Sequence, residues 1–254
     1  MKQATRVALI TGGSRGLGHN MALATADKGL DVILTYNSQR ETAQSVVQEI
    51  EKRGRKAVAL KLDVGDANGF EAFAGEVRTT MTKLWNRERF DCLVNNAGIG
   101  VYVSFEQTTE EQFDSMMRVH LKGAFFLTQK LLPLIADGGR IVNVSSGLTR
   151  FTFPGYCAYA VMKGAIEVLT HYLAKELGPR GIAVNTLAPG AIETDFGGGA
   201  VRDNAELNRM IASTTALGRV GVPDDIGGMV ATLLSPEGRW VNGQRIEVSG
   251  GMFV

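Results

Sequence analysis

Tyr159 and Lys163 stand four residues apart, so any helix that contains them places phenol and ammonium one turn along the same face. A phenol with a pKa of about 10 is a poor proton donor or acceptor at neutral pH. An ammonium about 5 Å away, at an effective dielectric near 20, contributes about 3 kcal/mol, or roughly two pKa units. The pair therefore predicts that Lys163 brings Tyr159 down into a useful acid–base range. The spacing is a weak signal by itself, because an exposed Y-x-x-x-K is usually a solvated helix face. A second group is Thr11-Gly12-Gly13-Ser14-Arg15-Gly16-Leu17-Gly18, between the apolar run Val7–Ile10 and the helical run His19–Lys28. A strand, a glycine turn and a helix start make an anion site, where free N–H groups and the helix dipole converge. Glycine lets the backbone approach a pyrophosphate with no Cβ in the way. The spacing is G-x-x-x-G-x-G, which departs from the commoner G-x-G-x-x-G.

The same turn contains G-x-S-x-G, Gly12 to Gly16, the nucleophile elbow of serine hydrolases. An elbow here puts Ser14 after the first strand, with no earlier strand to supply an oxyanion loop. The later histidines, His120 and His171, both fall inside helical patterns, so the hydrolase reading is weak.

These residues need a scaffold, and the chain shows one. Strand candidates are Arg6–Ile10, Asp31–Thr35, Ala57–Lys61, Cys92–Val94, Arg140–Val144, Ala183–Leu187 and Arg245–Val248. Most are continuous apolar runs, as parallel strands buried on both faces require. Helical patterns lie between them: Glu41–Lys52, Glu110–Ile135 with Pro133 late in it, and about Cys157–Leu177, stopped by Gly178-Pro179 and Gly181. Thr79–Phe90 prolongs a helix before the fourth strand. The alternation predicts an α/β fold, a doubly wound Rossmann-type parallel sheet of about seven strands with helices on both faces. Residues 1–254 read as a single domain, with no repeat, low-complexity tract or linker. Phe196–Thr215 opens Phe196-Gly197-Gly198-Gly199, which suggests a glycine-hinged lid over a site.

Lys plus Arg total 27 and Asp plus Glu 26, a net charge of +1, so nothing sequence-wide favours nucleic acid or an anionic membrane. There are 31 glycines in 254 residues, well above the usual level of about 7% and spread through motifs. Cys92 and Cys157 are far apart and in no metal-ligand spacing, so neither a disulfide framework nor a metal is expected. No stretch reaches about 18 apolar residues. The expectation is a soluble, cytoplasmic protein.

Together the motifs resemble the short-chain dehydrogenase/reductase family along essentially the whole chain. Gly12, Ser14, Arg15, Gly16, Leu17 and Gly18 match its cofactor turn, and Asp63-Val64 its adenine-side motif. Asn95-Asn96-Ala97-Gly98 matches the segment after the fourth strand. Ser146 stands thirteen residues before Tyr159, as the family's catalytic serine does, while Ser145 is one place out. Pro189-Gly190, with Ile192 and Thr194, matches the stretch that packs on the nicotinamide end. The resemblance implies hydride exchange between a nicotinamide cofactor and a carbonyl or secondary alcohol, with Tyr159 as proton donor and Ser146 bonding the substrate oxygen. Lys163 tunes Tyr159 and holds the cofactor ribose. In Val119-His120-Leu121-Lys122-Gly123 the family usually has asparagine where His120 stands, a member of its proton relay. His120 is then either a solvated group that titrates near pH 6.5 and passes protons, or a buried neutral filler.

The second strand candidate is followed by Tyr36-Asn37-Ser38-Gln39-Arg40, with none of the carboxylate that an NAD site generally places there. Arg15, with Asn37, Ser38 or Arg40, is suited to a 2′-phosphate, so the cofactor expected is NADP(H). The general resemblance is to 3-oxoacyl-thioester reductases and related ketone reductases. Lys122 and Lys130 make only a weak basic patch for an acidic carrier protein. A free ketone or aldehyde is at least as good a fit, in an apolar pocket of Phe151, Phe153, Tyr156 and Phe196. A cofactor-binding sensor or scaffold without turnover is the alternative. The resemblance also implies a homotetramer, with Glu110–Ile135 and Cys157–Leu177 at one interface.

Overall fold

Alternation within single strands builds two cores. Along β1 (Val7–Ile10), Val7 and Leu9 enter one apolar cluster while Ala8 and Ile10 enter the other, and all four are fully buried. The same division runs through β2 (Asp31–Tyr36), where Ile33 faces one cluster and Val32 and Leu34 the other. Such a sheet needs helices on both sides. In the computed structural model, which describes residues 5–254, it has them.

The remaining strands are β3 (Ala57–Lys61), β4 (Phe90–Asn95), β5 (Ile135–Val144), β6 (Ala183–Pro189) and β7 (Arg245–Val248). They form one seven-stranded sheet in the order β3-β2-β1-β4-β5-β6-β7, parallel throughout. One face is covered by α1 (Gly16–Asp27) and α2 (Arg40–Lys52). The buried residues of α2 are Ala43, Val46, Val47 and Ile50, the i, i+3, i+4, i+7 stripe of an amphipathic helix. The opposite face is covered by α3 (Phe70–Trp85), whose Phe70, Phe73, Val77 and Met81 are buried. Each such side chain contributes roughly 1.5–3 kcal/mol by leaving water. Trp85 ends α3 and donates from Nε1 to Asp31 Oδ2 at 2.7 Å.

The segment read as one helix over 110–135 is several pieces. Thr109 and Gln112 form a capping box at the start of α4 (Glu110–Met116). A π-helical turn, Met117–Lys122, then carries the chain into α5 (Gly123–Leu131). A 3-10 turn with Pro133 ends the run, and Ile135 already belongs to β5, paired with Phe90 across a register shift. Next come α6 (Cys157–Glu176), α7 (Ala200–Asp203), α8 (Ala205–Ser213) and α9 (Asp224–Leu234). Helix α9 joins α1 and α2 on their face, and α5 and α6 join α3. Among the described residues no helix is long and apolar enough to cross a membrane.

Candidate active site

The glycine turn is made by backbone geometry. Gly12 and Gly16 take φ of 65° and 54°, in the left-handed region that favours glycine. A Cβ on Gly18 would lie 2.1 Å from the Gly12 carbonyl oxygen, so α1 can start where it does only with glycine there. No side chain caps α1 and no acid stands in its first turn. Its leading N–H groups and the positive end of its dipole remain available to an anion. The turn is tied to β4 through the Thr11 hydroxyl, which accepts from Asn96 N and Ala97 N at 2.9 and 3.0 Å. The Asn96 side chain returns the tie by donating to Thr11 O at 2.8 Å.

A cavity of about 460 Å³ opens along the carboxyl ends of the strands, where doubly wound sheets bind ligands. All but one of the cofactor residues expected from the sequence line it: Gly12, Ser14, Arg15, Gly16, Leu17, Gly18, Asn37, Ser38, Asp63, Val64, Asn96, Ala97, Gly98, Pro189, Gly190, Ile192 and Thr194, with Tyr159 and Lys163. Arg40 does not line it; it starts α2 on the surface. Asp63 Oδ1 accepts from Gly65 N at 2.8 Å, an Asx turn that shapes this edge. The cradle fits a dinucleotide: a glycine floor, open N–H groups, and Arg15, Asn37 and Ser38 in place of an acid.

At the other end the cavity meets Ser146, Tyr159, Lys163 and His120. Ser146 stands just after β5 and Tyr159 is in the first turn of α6, so different elements bring them together. Lys163 Nζ donates to Val144 O at 2.8 Å and lies 5.5 Å from the Tyr159 ring centre. The His120 ring meets the Tyr159 ring edge-on at 5.1 Å, and Phe196 covers the far side at 5.7 Å. Ser145, the neighbour out of register, has another role: its hydroxyl donates to Glu167 Oε1 at 2.7 Å. Glu167 also accepts from Thr149 and Arg245, which fixes the loop that carries Ser146.

Electrostatics corrects one expectation. Burial pushes the Tyr159 phenol well above its ordinary value, and hydrogen bonding to Ser146 only partly offsets this. Lys163 does not bring it down, because the ammonium is itself buried, with its pKa lowered to about 7. Desolvation, which residue spacing does not register, outweighs the attraction here. His120 is also settled: it is 3% exposed, and burial first, then the nearby Lys163 charge, lowers its pKa to about 3. The titrating reading is not met, and the ring is neutral across the working range.

The segment after β6 lies over the site. Gly197, Gly198 and Gly199 all have positive φ, and Phe196, Val201, Leu207 and Ile211 line the cavity. Phe151, Phe153 and Tyr156 line it as expected. Thr35, Asp195 and Met252 were not foreseen; each is brought in by a strand end or loop with no local motif. Among the described residues no histidine bonds the Ser14 hydroxyl, and His120 Nε2 is engaged with the Ile99 carbonyl at 2.7 Å, so the hydrolase elbow has no base.

Comparison with known proteins follows the same lines. A family model described as enoyl-(acyl carrier protein) reductase matches residues 12–253. The hydroxynaphthalene reductase-like protein Arp2 of Metarhizium brunneum is 36% identical, the match covering 98% of this chain and 95% of that protein. Among solved structures, the promiscuous reductase LugOII, which catalyses keto-reduction at C1 during lugdunomycin biosynthesis, is 36% identical. It has a TM-score of 0.93 over 100% of both chains. The landomycin C-6 ketoreductase LanV with bound NADP and rabelomycin is 35% identical with a TM-score of 0.89, over 98% of this chain and 96% of that one.

Proposed function

The chain belongs to the short-chain dehydrogenase/reductase family of oxidoreductases, and from that premise we propose that it is an NADPH-dependent reductase of a cyclic aromatic ketone. The observation that carries this reading is one cavity with an anion cradle at one end and Ser146, Tyr159 and Lys163 at the other. The start of α1, with Arg15, Asn37 and Ser38, would hold NADPH, which would supply the hydride for the carbonyl carbon. Tyr159 gives its proton to the carbonyl oxygen while the Ser146 hydroxyl bonds that oxygen as charge develops. A phenol whose pKa is raised by burial is fully protonated at neutral pH, which is the form that reduction consumes.

Substrate class is supported by the walls. Phe151, Phe153, Tyr156, Phe196 and Met252 surround the catalytic end, a setting for a flat apolar ring system. LanV binds rabelomycin and Arp2 is hydroxynaphthalene reductase-like, which points the same way. A carrier-protein thioester fits less well, because Lys130 is held by Glu71 at 2.8 Å. A homotetramer is in keeping with apolar side chains left exposed on α5 and α6: Phe125, Phe126, Val161, Val168 and Tyr172. Sedimentation equilibrium at micromolar concentration checks the assembly, and a monomer would exclude it. The functional test is turnover on a panel of bicyclic aromatic ketones, aliphatic ketones and 3-oxoacyl thioesters, with NADPH and NADH in parallel. Preference for the first class with NADPH is expected. Cofactor binding with no turnover on any ketone would leave the sensor reading instead.

A further inference from the structure

Helix α6 carries a third polar group in line with Tyr159 and Lys163. Tyr159, Lys163 and Glu167 follow one another at intervals of four residues, so they form one stripe along the helix. Glu167 is not there to neutralise the ammonium. Lys163 Nζ bonds Val144 O at 2.8 Å, and its pKa is lowered by burial with no carboxylate to offset it. Glu167 turns instead to the loop after β5. Its Oε1 accepts from the Ser145 hydroxyl at 2.7 Å, from the Thr149 hydroxyl at 2.7 Å and from Arg245 Nε at 2.9 Å.

Ser145 and Thr149 flank Ser146 in the chain, and one oxygen holds both. Between them a 3-10 turn, Gly147–Thr149, brings Leu148 N back to donate to Ser146 Oγ at 3.2 Å. That bond occupies one lone pair of the serine and leaves its proton for a substrate oxygen. Arg245 supports the same turn, donating from Nη2 to the Thr149 hydroxyl at 3.1 Å. A carboxylate suits a place where three donors converge, because each bond to it is charge-assisted. The Glu167 side chain is only 17% exposed, so it needs a counter-ion, and Arg245 is that partner. Arg245 is held on β7 by Glu247, and Glu247 in turn by Arg150.

We propose that Glu167 is a positioning residue for the reduction: by holding Ser145 and Thr149 on one oxygen, with Arg245 as counter-ion, it sets the direction of the Ser146 hydroxyl. Glu167, Thr149 and Arg245 do not line the large cavity, so the carboxylate acts on a bound carbonyl only through the serine. This role rests on the assignment of Ser146 to the catalytic set. A reacting group misplaced by about 1 Å can cost roughly 10²-fold in rate. The loss should fall on kcat, because the glycine turn that would take the dinucleotide shares none of these residues.

The test compares kcat, KM for the ketone and the NADPH dissociation constant in wild type, Glu167→Leu, Glu167→Gln and Arg180→Leu. Arg180→Leu breaks an ion pair with Asp137 near the amino end of β5, and as a structural control it should leave kcat unchanged. Glu167→Leu should lose roughly ten- to a hundred-fold in kcat, with NADPH affinity within about two-fold of wild type. Glu167→Gln keeps an acceptor oxygen and should return to within about five-fold of wild type. In a Ser146→Ala background Glu167→Leu should cost less than about two-fold more, since its only route is already cut. Should Glu167→Leu fail to fold, Ser145→Ala combined with Thr149→Val removes the same bonds from the loop side and decides the matter. An unchanged kcat, a loss shared equally by NADPH binding, or a loss that persists in full on Ser146→Ala overturns the proposal. Failure of the functional reading looks different: the wild type then reduces no ketone. Crystal structures decide in that case, with Ser146 Oγ expected to leave Leu148 N in Glu167→Leu, and an unmoved serine overturning the role.

Discussion

Arg15 and Asp195 meet across the mouth of the large cavity, the guanidinium of the glycine turn on the carboxylate of the segment that covers it, at 2.5 Å. The contact joins residues 180 positions apart. Asp195 therefore competes for the group expected to hold a 2′-phosphate. Arg15→Ala should weaken NADPH binding roughly ten- to a hundred-fold and leave NADH nearly unchanged, as expected for lost charge-assisted hydrogen bonds. Asp195→Asn should act in reverse and tighten NADPH by a few-fold at most, because exposed ion pairs are weak. Calorimetric titration of both cofactors checks the pair; equal losses for NADPH and NADH in Arg15→Ala would mean that Arg15 does not read the phosphate.

Tyr159→Phe removes only the transferable proton. Turnover should fall by about 10²–10⁴-fold while NADPH affinity stays within a factor of two or so, since acid catalysis is worth that much. Retention of more than about a tenth of wild-type kcat would show that another group protonates the oxygen.

His120 makes stability depend on pH. Its folded pKa of about 3 lies below the ordinary 6.5, so the unfolded chain binds the proton first. The stability it contributes is complete above about pH 6.5 and is lost as pH falls toward 3. Glu247 behaves alike from 4.5 down to about 2, held low by Arg150. Between pH 6.5 and 4.5 the histidine acts without the carboxylates, and His120→Asn should flatten the decline of the melting temperature there. Parallel wild-type and variant curves in a calorimetric pH series would refute this.

Gly18→Ala should abolish cofactor binding by moving the start of α1, because the new methyl meets the Gly12 carbonyl and Asn96 Nδ2. The change is local, so the circular dichroism spectrum should keep its native shape while NADPH fluorescence enhancement disappears. An unchanged dissociation constant would show that the turn can open without cost.

The seven strands were legible because each is a buried parallel strand with an apolar run. The site motifs were legible because glycine turns and the Ser146–Tyr159–Lys163 spacing are local patterns. What escaped is non-local or energetic. The π turn that sets His120 facing Tyr159 leaves the hydrophobic period of 110–135 nearly intact, so the run reads as one helix. Ile135 joins β5 only through a shifted pairing with Phe90. Desolvation of Tyr159 depends on Phe196, 37 positions further on, closing over the ring at 5.7 Å. No spacing rule counts that burial.

The position of β1 between β2 and β4 orders the folding of the molecule. During synthesis β1 can pair with β2 early, but its other edge stays open until β4 has emerged, since parallel neighbours need a long crossover. The glycine turn is completed by the same event, because Thr11 takes its hydrogen bonds from Asn96 and Ala97. The cradle for a nucleotide is therefore complete only once β4 has docked beside β1. A ligand at a hundred times its dissociation constant adds about 2.7 kcal/mol to the folded state. Here that increment falls on the contact between β1 and β4, whose following residues complete the glycine turn.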